Sequence, residues 1–211
     1  MTHATLDVRR AAQGVRALAV VLGALVVAAA AQVSVPLPGT PVPMTLQPMA
    51  VLLVGGLLGA RLGALSMILY LAMGAAGLPV FTPTVPLVGV ARLLGPTGGY
   101  LLAYPVAAWV AGWFANPGRQ PGVNETVAVG FANPGLPPGV SRNPWLRTTL
   151  GVFAGLVLIH LGGLAQLAIL TGDISAAARF GTVPFLLGDL LKLAILVPVL
   201  TKLTPTIRAR L

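Results

Sequence analysis

An aspartate and a lysine interrupt the last apolar segment of this chain. Asp189 and Lys192 stand three residues apart in TVPFLLGDLLKLAILVPVL, which runs from Thr182 to Leu200. Residues i and i+3 of a helix share a face, so the carboxylate and the ammonium point into one sector. Each charge costs about 2.5–3.5 kcal/mol at the centre of a membrane helix, and such residues therefore face a bundle interior and pair with each other.

This pair of charges admits three interpretations. It can be a structural ion pair between helices, it can belong to a proton or sodium relay, or it can bind a ligand. A relay needs a second acid, and the sequence places none nearby. A carboxylate beside an ammonium can hold a ligand that has both an N–H donor and an anionic group, and Gly188 allows close approach to the helix. We favour a binding site for a small, polar-tipped ligand that enters from outside.

The other chemistry-bearing residues form weaker patterns. His160 and Gln166 lie in the fifth apolar segment, where a single histidine is more often a hydrogen-bond partner between helices than a base. Ser66 and His160 lack the acid and the glycine-rich turn of a protease-like site. GPTGGY lacks the lysine of a phosphate-binding loop, no cluster has metal-ligand spacing, and the chain has no cysteine. The sequence therefore predicts no enzyme, no metal site and no cofactor.

The composition indicates that membrane helices carry these residues. The 211 residues are 56% hydrophobic and 8% charged, whereas about a quarter of a soluble domain is charged. Apolar runs near 20 residues recur, which is enough to cross a hydrocarbon core about 30 Å thick. The net charge of +9 comes from residues scattered between these runs, so it reports membrane topology rather than nucleic-acid binding.

Apolar runs broken by glycine, proline or charge predict six membrane spans in one all-α domain, a six-helix bundle that covers residues 1–211. The first run is longer than the core of a signal peptide, so we interpret it as a retained span. The second and third runs meet at GARLG and predict a tight helical hairpin. The expected spans are 16–35, 47–60, 62–78, 97–115, 147–171 and 183–203.

The basic residues predict the orientation of these spans. Six spans place both termini, the turn at Arg61 and the loop 116–146 on one side, where most of the 13 basic residues lie. Only Arg92 and Arg179 lie on the opposite side, and Lys192 lies within a span. The positive-inside rule therefore predicts that both termini and the 116–146 loop are cytoplasmic.

Two loops on the outer side are apolar and rich in proline and glycine. They cover residues 34–48 and 77–100. Proline fixes the backbone and glycine permits tight turns, so the high content of Val, Phe, Met and Leu favours stiff lids packed over the bundle. The alternative is a pair of loops half-sunk among the lipid headgroups.

Four motifs occur in this order along the chain: PVPMTLQ (41–47), GLLGARLGALSMILYLAMGAAGLPVF (56–81), GPTGGYLLAYPVAAWVAG (95–112) and PFLLGDLLK (184–192). Together they resemble the BioY family, the biotin-specific substrate-binding (S) components of energy-coupling-factor (ECF) vitamin transporters. The similarity extends from about residue 20 to 203 and implies a six-helix S-component bundle in the inner membrane of a prokaryotic cell. It also implies that the chain takes up biotin together with a transmembrane coupling subunit and two ATPase subunits.

The resemblance also implies roles for individual residues. Asp189 would accept hydrogen bonds from the ureido N–H groups of biotin, and Lys192 would lie toward its valerate carboxylate. In such proteins, small residues on the first helix form the docking surface for the coupling subunit, and Ala24 and Ala28 match that spacing. The other residues implied to line or close the pocket are Thr45, Gln47, Tyr70, Gly98, Gly99 and Tyr100.

This chain departs from the family pattern where the ligand carboxylate is expected. Some relatives have an arginine directly after GGY, where this chain has Leu101, and the loop after PVF lacks the asparagine of the relatives. Arg92 is the remaining cation near these motifs on the outer side. We expect that Arg92 either binds the carboxylate or faces the lipid headgroups.

The function that this resemblance implies is biotin uptake as an S component. Two alternatives remain open at this point. One is a stand-alone secondary carrier or channel for another small solute. The other is a structural membrane partner in which the Asp189–Lys192 pair only holds helices together.

Overall fold

A computed structural model describes residues 3–115 and 143–208 of the chain, and the side chains of residues 13–115 and 143–207. Most of the expected loop 116–146, including Arg119 and Arg142, therefore lies outside the described residues. The helices are α1 (His3–Gln32), α2 (Gln47–Leu58), α3 (Ala60–Ala75), α4 (Val90–Leu94), α5 (Gly98–Ala115), α6 (Pro144–Thr171), α7 (Ile174–Gly181) and α8 (Leu186–Arg208).

Three helical stretches of the described residues are long and apolar enough to cross a membrane, and α2 and α3 are shorter apolar helices. The stretches are Gln13–Gln32, Pro144–Thr171 and Ile174–Ile207, the last of which joins α7 and α8. In the described part of the chain, α1, α2, α3, α5, α6 and α8 correspond to the six expected spans. The all-α membrane fold is therefore confirmed.

Several helix ends differ from the expected ones for local reasons. α1 stops at Gln32 because the next residues form strand β1 (Ser34–Val35), which pairs antiparallel with β2 (Met44–Thr45). α6 begins three residues earlier than expected, because the Asn143 side chain accepts hydrogen bonds from the backbone N–H groups of Trp145 and Leu146. A side-chain oxygen in this position satisfies the free donors of the first helical turn.

The expected hairpin of α2 and α3 is confirmed. Gly59 alone joins the two helices and has φ 91°, a conformation that residues with a side chain rarely adopt. A Cβ added to Gly63 of α3 would lie 2.7 Å from Cα of Gly55 in α2. Gly112 of α5 approaches Gly55 and Ala60 equally closely. Small residues thus bring three helices into close contact at one end of the bundle.

The small residues of α1 pack in the core of this chain. Ala24 has no exposed surface and Ala28 is 9% exposed, and both belong to the buried cluster. At Gly23, an added Cβ would lie 2.6 Å from Oγ of Ser66 in α3. The expectation that Ala24 and Ala28 form a docking surface is therefore corrected: their spacing permits close packing within the chain, and another face of α1 is exposed.

Candidate functional site

One cavity brings together most of the polar residues that the sequence singled out. Its volume is about 50 Å³, and it lies among the first loop (residues 33–46), the second loop (residues 76–89), and helices α2, α4, α5, α6 and α8. Leu156, Ile159 and Phe185 contribute apolar walls. The predicted site residues that line the cavity are Thr45, Gln47, Arg92, Tyr100, Asp189 and Lys192.

Two side chains, one on the same helix and one on another, contact the Asp189 carboxylate. Lys192 Nζ lies 2.9 Å from Asp189 Oδ1, and His160 Nε2 lies 2.5 Å from Asp189 Oδ2. Asp189 and Lys192 are 8% and 7% exposed. The i,i+3 pairing predicted from the sequence is confirmed, and the two charges compensate each other in a buried place where single charges are costly.

No sequence pattern indicated that His160 belongs to the site. Its ring nitrogen contacts Asp189 from α6, whereas Lys192 contacts it from the same helix, α8. The hydrophobic periodicity of α6 indicates which side of that helix is apolar. It does not indicate which residue of another helix lies opposite His160. A signal was present all the same, because a buried histidine needs a polar partner, and few acids are available in this chain.

Arg92 is buried beside the cavity and does not face the lipid headgroups. It is 1% exposed. Its Nη1 donates to the Val85 carbonyl over 2.6 Å and its Nη2 donates to the Thr82 carbonyl over 2.9 Å, so it fastens the second loop. Burial lowers the pKa of the Arg92 guanidinium, but arginine begins from so high a value that the group stays cationic.

Three residues that line the cavity each have a buried polar atom without a partner among the described residues. The atoms are Nε of Arg92, Oγ1 of Thr97 and Nδ1 of His160. Thr97 directly precedes α5, and its carbonyl accepts from the Leu101 backbone N–H. A threonine at this position ordinarily uses its hydroxyl to cap the helix. Here that hydroxyl remains available, and no sequence pattern indicated it.

Tyr70 lies behind the cavity and not on its wall. Its hydroxyl accepts from Gln47 Nε2 over 2.6 Å and donates to the Val80 carbonyl over 3.2 Å. Gln47 does line the cavity, together with Thr45. Tyr70 therefore connects the start of α2 to the second loop, which is a supporting position rather than the lining position that the resemblance implied.

Gly98 and Gly99 are packing positions at the start of α5. A Cβ on Gly98 would overlap the Leu93 carbonyl, and a Cβ on Gly99 would overlap the Gly162 carbonyl of α6. Neither glycine lines the cavity in the structure. They allow α5 to approach its neighbours closely enough that Tyr100, the next residue, enters the cavity wall.

The first loop covers the cavity. Val42, Pro43 and Thr45 line it, and the Thr40 hydroxyl donates to the Phe180 carbonyl of α7 over 2.7 Å. Met44 packs over Gly188, which is next to Asp189 in α8. In the second loop, Phe81 is buried with its ring edge against Tyr70, 5.4 Å between centroids. Both loops thus pack onto the bundle, as the lid interpretation predicted.

The cavity combines apolar walls with a few convergent polar groups, an arrangement typical of a small-molecule site. Asp189 offers acceptors, whereas Arg92, Thr97 and Lys192 offer donors. Across residues 3–115 and 143–208, no three His, Cys, Asp or Glu side chains are placed to hold a metal ion. The arrangement fits an uncharged N–H donor group and an anionic group on one ligand.

Comparisons with known proteins place this fold and sequence among vitamin transporters. A model of the BioY family matches residues 2–209. The chain is 35% identical to a probable biotin transporter BioY of Pyrococcus horikoshii, over 78% of this chain and 80% of the relative. It is 36% identical to a biotin transporter BioY of Thermotoga maritima, over 78% of this chain and 81% of the relative.

A solved structure has a similar fold. It is the S-component for biotin from an ECF-type ABC transporter, with a TM-score of 0.70. The comparison covers 96% of this chain and 94% of that chain, at 23% sequence identity. At this identity the likeness describes the arrangement of the helices and not the residues of the site.

Proposed function

This chain belongs to the BioY family, and we propose that it takes up biotin as the substrate-binding S component of an ECF transporter. The observation that carries the proposal is the buried cavity that joins the Asp189 carboxylate to unpartnered cationic and hydroxyl donors. Biotin has ureido N–H groups, an apolar ring and a carboxylate, so each part of the ligand has a chemical counterpart in this cavity.

Asp189 is the proposed acceptor for the ureido N–H groups. Each of its oxygens has one contact in the structure, to Lys192 and to His160. An ionised carboxylate has about four lone-pair positions, so acceptor capacity remains for ligand N–H groups. A hydrogen bond to a charged group contributes about 1.5–3 kcal/mol, which makes Asp189 the largest single polar contribution that we assign in the site.

Arg92 and Thr97 are the proposed partners of the biotin carboxylate. The Nε–H of Arg92 and the Thr97 hydroxyl have no protein partner among the described residues, and both border the cavity. Lys192 has two further N–H donors besides the one directed at Asp189, so it can supply additional charge. Leu101 lines the same cavity, but its side chain has no polar group. We therefore assign the carboxylate contact to Arg92, Thr97 and Lys192.

The cavity must expand to accept biotin. A volume of about 50 Å³ is below the roughly 300–1,000 Å³ of most small-molecule sites. The first loop is the proposed element that moves, because it covers the cavity. It is held closed by contacts such as the exposed hydrogen bond from the Thr40 hydroxyl to the Phe180 carbonyl, which can break while the helices stay in place. We propose that this loop opens for entry and closes over the bound vitamin.

The remaining parts of the transporter are proposed to come from other chains. The sequence has no phosphate-binding loop, so ATP hydrolysis is assigned to two ATPase subunits that act through a membrane coupling subunit. The single membrane domain spans 1–211, with both termini on the cytoplasmic side. In this proposal, biotin is the transported ligand, and no cofactor takes part.

The proposal is tested on the purified full chain in detergent or nanodiscs. Mass spectrometry first identifies any co-purified ligand, and calorimetry after ligand removal then measures biotin binding. We expect saturable binding of one biotin per chain and no comparable binding of unrelated vitamins such as thiamine or riboflavin. A chain that binds no biotin, or that retains a different solute in the cavity, contradicts the proposal.

A further inference from the structure

We infer that His160 is a positioning residue for biotin binding, because it holds the Asp189 carboxylate in the orientation in which that carboxylate meets the ligand. This inference rests on the proposed function and adds a residue to the same site. His160 is assigned no contact with biotin. Its effect passes through Asp189.

Two side chains contact the Asp189 carboxylate, and they attach it to different parts of the bundle. Lys192 is on α8 and moves with Asp189, so its contact does not fix the carboxylate relative to the rest of the bundle. Among the described residues, His160 is the one hydrogen-bond partner that reaches Asp189 from another helix. Because an ionised carboxylate only accepts, Nε2 of His160 carries the hydrogen of this bond.

The imidazole ring of His160 packs against two aromatic rings. The Tyr100 ring meets it edge-on at 6.2 Å between centroids, and Phe185 lies against it at 6.4 Å. The Tyr100 hydroxyl is itself fixed, since it donates to the Gly181 carbonyl. Aromatic rings from α5 and from the turn before α8 therefore hold the histidine ring, and the ring in turn holds Asp189.

Nδ1 of His160 is buried and has no partner in the described part of the chain. Burying an unpaired polar atom costs free energy, so a residue selected only for packing would serve better without it. The polar contact of this ring is directed at Asp189, which identifies that contact as the reason for a histidine at this place.

The contact with His160 limits the mobility of the Asp189 side chain in the ligand-free protein, and this affects how tightly biotin binds. Without His160, Asp189 keeps Lys192 as a partner but loses its link to α6, and its carboxylate can turn with the lysine. Binding then has to restrict that side chain, and restricting a mobile side chain weakens an interaction. We expect weaker binding although every proposed ligand contact remains present in the chain.

Three variants separate this role from packing. His160→Phe keeps an aromatic ring without the donor, and His160→Asn keeps an amide that is too short to reach Asp189. His160→Gln places an amide N–H near the position of Nε2. We expect biotin binding to weaken about tenfold in the Phe and Asn variants and to stay within about threefold of wild type in the Gln variant, as measured by calorimetry.

A packing role predicts the reverse order, with Phe tolerated and Gln harmful, and that order overturns the inference. If the Phe variant does not fold, the Asn and Gln variants carry the same comparison. Leu161→Ala is the matched control, because Leu161 is the neighbouring residue on α6 and is 55% exposed. We expect it to bind biotin as the wild type does.

A double variant tests whether the effect passes through Asp189. If it does, His160→Asn has no further effect on binding in an Asp189→Asn background, because coupled residues are not additive. A full additional tenfold loss shows an independent role and overturns the inference. Wild-type protein that binds no biotin overturns the proposed function itself, whereas tight binding by both wild type and the His160→Asn variant overturns only the role of His160.

Discussion

Lys192 and Asp189 form a buried ion pair across one turn of α8, with 2.9 Å between Nζ and Oδ1. Each charge is the counter-charge of the other in a part of the protein with little access to water. Removing one member therefore leaves the other uncompensated, which costs about 3–5 kcal/mol for a buried pair. The pair thus contributes to the fold as well as to the proposed site, and these two contributions can be measured separately.

We predict that Asp189→Asn weakens biotin binding by at least about tenfold, because a charge-assisted hydrogen bond worth about 1.5–3 kcal/mol is lost. The same variant should melt at a lower temperature, since Lys192 loses its counter-charge. Adding Lys192→Met should recover much of the melting temperature and none of the affinity. Normal biotin affinity in the Asp189→Asn variant would show that the pair is structural only.

We predict that Arg92→Ala weakens biotin more than it weakens a biotin amide. The carboxylate contact should contribute about tenfold, near 1.4 kcal/mol, and only biotin can lose it. Both ligands should lose some affinity, because Arg92 also holds the carbonyls of Val85 and Thr82. Calorimetry with both ligands gives the difference. Equal weakening of the two would assign Arg92 to the loop alone.

We predict that Thr97→Val weakens biotin several-fold without lowering the melting temperature. The Thr97 hydroxyl is buried and unpartnered among the described residues, so its replacement by a methyl group of similar shape removes no hydrogen bond from the ligand-free protein. A biotin amide should bind the variant nearly as well as wild type. Unchanged binding of biotin would exclude Thr97 from the carboxylate site.

The sequence predicted contacts within one helix better than contacts between helices. The pairing of Asp189 with Lys192 follows from a spacing of three residues, and the hairpin at Gly59 follows from the glycine between two apolar runs. Both features depend on local geometry alone. The six-helix arrangement likewise follows from the lengths of the apolar runs.

Contacts between helices depend on rotation and depth, which no local pattern fixes. The sequence places His160 on α6 but does not indicate that it lies opposite Asp189. It shows that Ala24 and Ala28 permit close approach, but not whether the approaching helix belongs to this chain or to another. The short helix α4 lies in the outer segment 77–100, whose proline and glycine content had indicated a loop, and α7 lies between the expected spans 147–171 and 183–203.

We predict that Ala24→Leu destabilises the isolated chain. Ala24 is fully buried, and neighbouring Gly23 already contacts Ser66 closely, so extra methylene groups force α1 away from its neighbours at a cost of about 1–3 kcal/mol. Thermal melting in detergent measures the effect. Leu25→Ala is the control, because Leu25 is 47% exposed on the same helix. A stable Ala24→Leu chain that fails only in uptake would restore the docking role.

We predict that Tyr70→Phe weakens biotin binding through the two loops and also lowers stability. The Tyr70 hydroxyl links Gln47, which lines the cavity, to the Val80 carbonyl of the second loop. Its removal leaves a buried amide and a buried carbonyl without their partner, at a cost of about 1–3 kcal/mol. The melting temperature should fall, and biotin and its amide should weaken equally, because the change does not involve the carboxylate.

The matched control is Tyr104→Phe. Tyr104 is also buried and its ring stacks on Tyr70 at 6.4 Å, but its hydroxyl has no hydrogen bond to the described residues. This change should leave the melting temperature near that of wild type, whereas Tyr70→Phe should lower it. If the two variants melt alike, the link from Gln47 through Tyr70 to Val80 does not stabilise the closed loops, and Tyr70 contributes only the packing of its ring.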